Sequence, residues 1–280
     1  MGLFDFLRPK TVAVPPSLPP RAPRSDGPRF PVVRERMFDL SLTRRLEALF
    51  HIPAPQRDDG WHDDFFDTMW NASVELADPQ EFTGPDGFRY LRLNVPRPDA
   101  PFESQSLANL ARICVERGSG AAFFASPDDP ADAAQYVFSL GKLDSLLRYD
   151  SWNGDPVDEA ESAGLQGGHR ATILTEAHRI MTGAPSADFL PPPVAQALAG
   201  YMTGTLGITD PRVQLLVDAK LRPTRNLVIG IRRSQYESEQ DVADAMQRLF
   251  WYMPPLRSLM LMPEDWSESD MTRLADLSAR

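Results

Sequence analysis

The chain has 280 residues, with 29 Lys plus Arg against 39 Asp plus Glu and a formal net charge of −10. Hydrophobic residues make up 42% and charged residues 24%, globular proportions that exclude collagen, a disulfide-stapled miniprotein and wholesale disorder. The acid excess also argues against general nucleic-acid binding, because phosphates are repelled unless a local basic patch overrides it.

The chain opens on MGLFDFLRPK. Leu3, Phe4, Phe6 and Leu7, followed by Arg8 and Lys10, form a short apolar plug that either frays or docks weakly on a surface. The run is too short for a signal peptide and no small-residue cleavage site follows. Phe6 stands where myristoylation needs Ser or Thr. No apolar run approaches the ~20 residues that span a bilayer, so the expectation is a soluble, cytoplasmic chain without integral membrane association. Residues 11–31 are dense in proline, which removes amide donors and favours an extended linker. Plug and linker together, residues 1–36, are expected to lie outside the folded part.

From residue 37 the periodicity changes. Asp39 or Ser41 can cap a helix to residue 50, with Leu42, Leu46, Leu49 and Phe50 on one face. A second helix is expected over Asp63–Leu76, with Phe66, Met69, Trp70 and Val74 as its stripe. GPDG at 84–87 is a turn and 88–95 a strand. A helix follows over 104–116, ended by Gly118. Strands are expected at 121–125 and 135–140 and a short helix at 142–149. Residues 150–170, acidic and Gly-rich, read as a connection. Beyond it come a strand near 176–183, a proline-started helix over 191–207, and strands at 213–218 and 226–231. A helix over 237–253 begins at Ser238 with Asp241 in a capping-box position, and a strand at 256–262 closes the order. The class is therefore α+β in two modules, residues 37–165 and 170–280. Strand-helix-strand-strand-helix-strand makes the second one ferredoxin-like in expectation.

The chemistry-bearing residues are few. One cysteine, Cys114, excludes an internal disulfide and reads as a buried small hydrophobe. No Rossmann, P-loop, HExxH or GxSxG pattern is present, and no two of His51, His62, His169 and His178 stand four apart. In WHDDFFD, His62, Asp63, Asp64 and Asp67 can collect a divalent cation, or simply suit a helix N-terminus. QGGHR at 166–170 can present backbone amides and Arg170 to an anion, or serve as a flexible linker. Glu176 and His178 share one side of a strand as an acid/base pair or a surface ion pair. The basic run 222–226 with Arg232, Arg233 and Tyr236 is the one positive patch and faintly resembles a nucleic-acid surface, but with the acid excess a solvated hairpin accounts for it better. Trp251, Tyr252 and Met253, with Met260 and Met262, form a cluster of a type found both in cores and at interfaces.

The stretches GAPSADFLPPPVAQALAGYM (183–202), DPRVQLLVD (210–218), NLVIGIRR (226–233) and LMLMP (259–263) resemble the C-terminal domain of the SseB family, the bacterial enhanced serine sensitivity proteins. The resemblance covers about a third of the chain and is carried by packing residues. It implies a small α+β sheet module and no active site to transfer. The functional expectation is a non-enzymatic bacterial cytosolic adaptor or regulator that binds a protein partner, needs no cofactor and uses Trp251, Tyr252 and Met253. The alternatives are an immunity-type protein that neutralises a basic toxin, and a metal-dependent hydrolase built on His62, Asp63, Asp64 and Asp67.

Overall fold

Leu46, Leu49 and Phe50 recur on one side of α1 (Leu40–Phe50) and are buried there, as their spacing predicts. The computed structural model describes residues 40–97, 100–152, 170–175 and 178–279. These belong to one compact unit, and a second unit, residues 1–31, falls outside the described residues. The apolar plug and the linker therefore lie outside the described residues, as does most of the 150–170 connection.

The second helix, α2 (Asp59–Met69), starts earlier than expected and stops sooner. The Asp58 carboxylate accepts the Trp61 amide at 2.9 Å, which satisfies an orphan donor of the first turn. The buried Trp61 indole donates to the Leu49 carbonyl at 2.9 Å and ties that turn to α1. Val74, assigned by its spacing to the helix, instead starts β1 (Val74–Thr83) and is fully buried in the sheet. β1 turns back into β2 (Arg89–Asn94) through GPDG, where Gly87 adopts φ 85°. β3 (Ser104–Gln105) lies outside β1. From β2 the chain crosses through α3 (Leu107–Arg117) to the parallel strand β4 (Gly120–Phe124). Gly118, at φ 67°, ends α3 as the sequence indicates. β5 (Tyr136–Phe138) is shorter than expected because Ser139 caps α4 (Leu140–Tyr149), its hydroxyl accepting the Lys142 amide. The sheet order is β3-β1-β2-β4-β5. Phe65 of α2, Phe123 and Phe138 meet in its core, all fully buried.

The second sheet runs β10-β9-β8-β7-β6, from β6 (Arg170–Thr175), β7 (His178–Gly183), β8 (Arg212–Asp218), β9 (Arg225–Ile229) and β10 (Ser258–Leu261). α5 (Pro192–Gly204) joins β7 to β8, and α6 (Glu239–Phe250) joins β9 to β10. The class is α+β, but the ferredoxin-like arrangement is not the one found. A split βαβ unit separates the strands flanking each helix. Here β7 and β8 are direct antiparallel neighbours, with Ile180 opposite Asp218 and Gly183 opposite Leu215. β9 and β10 are direct parallel neighbours. Every residue of β9, and all but Arg212 of β8, is buried, because both sheet faces are covered. On one face Trp266 and Met271 pack with Leu216, Val228 and Met262. The chain ends in β11 (Thr272–Arg273), paired with β8, and α7 (Leu274–Ser278), which packs on α5. No described helix is long and apolar enough to cross a membrane.

Candidate functional site

The residues with candidate chemistry are dispersed. His62 Nδ1 lies 2.9 Å from the Asp58 carbonyl oxygen, and Asp64 pairs with Arg45 at 2.6 Å. Asp63 and Asp67 are exposed on α2. Among the described residues no three His, Cys, Asp or Glu side chains gather as a metal would need. Gly167, Gly168, His169 and Glu176 lie outside the described residues; of Arg170 and His178 only the strand positions are described. Cys114 is 1% exposed, and burial pushes its thiol up to about 12, which leaves it protonated and inert.

The basic patch folds inward on itself. Arg222 donates to the Ala219 and Leu221 carbonyls at 2.9 and 2.7 Å. Arg232 pairs with Glu268 at 3.0 Å, and Arg233 with Glu239 at 2.5 Å. Arg225 is buried beside the Phe189 ring. These guanidiniums organise loops and helix ends, and such contacts draw them away from a continuous cationic face.

Trp251, Tyr252 and Met253 leave the end of α6 and meet the first sheet. Trp251 stacks on Phe88 with ring centroids 4.5 Å apart and planes 5° from parallel. Its indole N–H donates to the Tyr90 hydroxyl at 3.0 Å, and that hydroxyl donates to Asp86 Oδ2 at 2.5 Å. Burial raises the Tyr90 phenol, with the Asp86 contact in the same direction, so it stays a donor. Tyr252 and Met253 are buried, with Tyr252 against Tyr201 at 5.3 Å. The Gly141 amide donates to the Trp251 carbonyl at 3.1 Å, and a Cβ on Gly141 would stand 1.9 Å from the Met253 carbonyl oxygen. The cluster thus joins the two sheets inside the chain, and it is not an outward-facing surface.

A second knot in the same junction has a partial sequence signal. Asp144 is 2% exposed and binds the Arg148 guanidinium through both oxygens, an i,i+4 pair visible in KLDSLLRY. Burial raises its carboxyl pKa; the Arg148 hydrogen bond and the Arg148 and Arg257 charges act against that. Arg148 also donates to the Asp188 carbonyl at 2.5 Å. Arg257 donates to the Tyr149 hydroxyl at 2.8 Å and lies 4.2 Å over the Phe189 ring. Nothing in the local sequence pairs Arg257 with Tyr149, which stand 108 residues apart.

The turn between α6 and β10 is the remaining feature. The Arg257 amide closes it on the Pro254 carbonyl at 3.2 Å. Leu256 sits in this turn at φ 68° and is 69% exposed. Among the described residues only Asp150, at φ 50°, shares a left-handed backbone without being glycine. Asp150 follows Tyr149 and Leu256 precedes Arg257, so both flank the same hydrogen bond. Aspartate tolerates this region, but leucine pays a strain of about 1–2 kcal/mol. Leu256 is also more exposed than Ile113, Val137, Leu147 or Phe250, the other exposed large apolar side chains. Two residues later begins β10, the sheet's end strand, with no strand on its outer side among the described residues. The site offers an apolar tip and a strand edge on a clamped base, which is equipment for binding. No family model matches the chain, and comparison with curated proteins and with solved structures finds no match.

Proposed function

We propose that the protein is a non-enzymatic cytosolic adaptor or regulator that works by binding protein through residues 254–261. The carrying observation is Leu256, an apolar side chain held 69% exposed on a backbone that glycine would adopt with less strain. Strain at an exposed tip persists only where the surroundings impose it, and such outliers cluster at contact sites. The surroundings here are firm: Arg257 is clamped by Tyr149 and Phe189, and Met253 by Gly141. The SseB-like pattern of the C-terminal half adds a bacterial setting to this reading.

Affinity capture from host lysate with the wild-type chain, Leu256→Asp and Leu256→Gly tests it. The expected result is a protein retained by the wild type and lost from both variants, with all three melting as folded proteins. Identical capture by all three contradicts the reading. The net charge of −10 favours a second reading, neutralisation of a basic toxin. Association with a basic protein would then slow sharply as salt is added.

A further inference from the structure

We propose that residues 263–271 form a polar-latched strap over one face of the second sheet, which opens while the rest of the fold stays closed and is locked open by oxidation of the methionines it covers. The segment runs from the end of β10 to β11 with little structure of its own, a single helical turn at Glu268–Asp270. Residues 264, 265 and 267–270 are exposed, and Trp266 is the large apolar side chain among them that packs down. The chain is buried again only at Met271. Beneath Trp266 and Met271 lie Leu216, Val228 and Met262, all buried. The contacts that hold the strap are polar and close to water. Arg232 donates to the Trp266 carbonyl at 2.9 Å and pairs with Glu268 at 3.0 Å. Glu264 accepts from the Ser234 amide at 3.0 Å and from its hydroxyl at 2.9 Å, and Arg212 donates to the Glu268 carbonyl at 3.2 Å. Exposed ion pairs stabilise little, and a segment with few buried apolar contacts opens well below the free energy of global unfolding. The strands below it, β8 and β9, are buried along almost their whole length.

The covered face is rich in thioether. Met262 and Met271 sit in its core and Met260 lies half-buried at its margin. The closed strap shields the first two sulfurs, and its opening presents them. Hydrogen peroxide then transfers one oxygen to the sulfur lone pair: the O–O bond breaks, the S–O bond forms, and water leaves, so the thioether is oxidised and the peroxide reduced. The sulfoxide is polar, and returning it beneath Trp266 without a hydrogen-bond donor opposes closure. Oxidant exposure thus becomes lasting exposure of Leu216 and Val228, reversed when the sulfoxide is reduced. This device is independent of the Leu256 reading.

Amide exchange on the full chain before and after hydrogen peroxide, with the sulfoxides mapped by mass spectrometry, is the test. Before oxidation, residues 264–271 should exchange about tenfold or more faster than residues 226–229. Arg232→Ala, which loses two latch contacts, should speed the strap by about tenfold again and leave β9 unchanged. Peroxide should convert Met262 and Met271 ahead of Met69 and Met202, which are buried elsewhere in the fold. Strap exchange should then rise in the wild type, return after treatment with methionine sulfoxide reductase, and stay unmoved in the double variant Met262→Leu, Met271→Leu, a swap that keeps core volume. Strap exchange as slow as that of β9, or Met262 and Met271 oxidised no faster than Met69 and Met202, overturns the proposal. So does oxidation of both that leaves strap exchange unchanged.

Discussion

Leu256 shows how a single φ angle separates stability from function. At φ 68° its Cβ crowds the backbone, a strain that glycine lacks. Leu256→Gly is expected to leave unfolding stability unchanged or raise it by up to about 1 kcal/mol, since glycine's unfolded-state entropy offsets part of the relief. Denaturant titration checks this, and association should fall in the same variant. Tyr201 makes a related case. Its hydroxyl is buried without a hydrogen-bond partner among the described residues, while its ring packs on Phe88 and Tyr252. Tyr201→Phe removes an unsatisfied group and should stabilise the fold by about 1 kcal/mol in a thermal melt. Asp144 sets the sign of a pH effect. Burial raises its folded carboxyl above the ordinary carboxylate range, so the protonated form favours folding. Its contribution is full below that range and is lost as pH rises through the raised pKa. Melting curves should therefore show wild type losing ground to Asp144→Asn on going from acid to neutral pH. The opposite trend would mean that Arg148 outweighs desolvation. At this scale the sequence exposes local partners only: Ser238 with Asp241, and Gly118 as a helix stop. Tyr90 with Trp251, 161 residues apart, could come only from the fold.

The elements fell where local chemistry was unambiguous and slipped where a tertiary contact overrode it. α6 begins at Ser238, whose hydroxyl accepts the Asp241 amide while Asp241 takes the Ser238 amide, the reciprocal pattern readable in ESEQD. Ser238→Ala should cost about 1 kcal/mol. α2 slipped by a turn because Asp58 caps the Trp61 amide and the buried Trp61 indole reaches back to α1. The split βαβ expectation failed because element order does not specify which strands become neighbours, and β7 and β8 hydrogen-bond directly. α4 depends on close approach: with the Gly141 Cβ position 1.9 Å from the Met253 carbonyl, Gly141→Ala must push α4 away from the segment after α6. Destabilisation of about 3 kcal/mol or more is expected by chemical denaturation, and a neutral effect would contradict the packing.

Across the whole molecule, two sheets built on different stretches of chain are locked by one junction, with Phe88, Tyr90, Asp144 and Arg148 on one side and Tyr201, Trp251, Tyr252 and Arg257 on the other. The aromatic cluster was legible as a cluster, but its role was not, because core and interface use the same residue types. What the junction leaves facing outward is Leu256, at the tip of the 254–257 turn, ahead of the end strand β10. The most direct measurement is amide hydrogen exchange over residues 254–262 of the full chain, dilute and alone, then with its partner bound at high concentration. The account predicts slowing confined to the turn and β10. Unchanged exchange there, with slowing elsewhere, for example along the acidic face of α2, would contradict it.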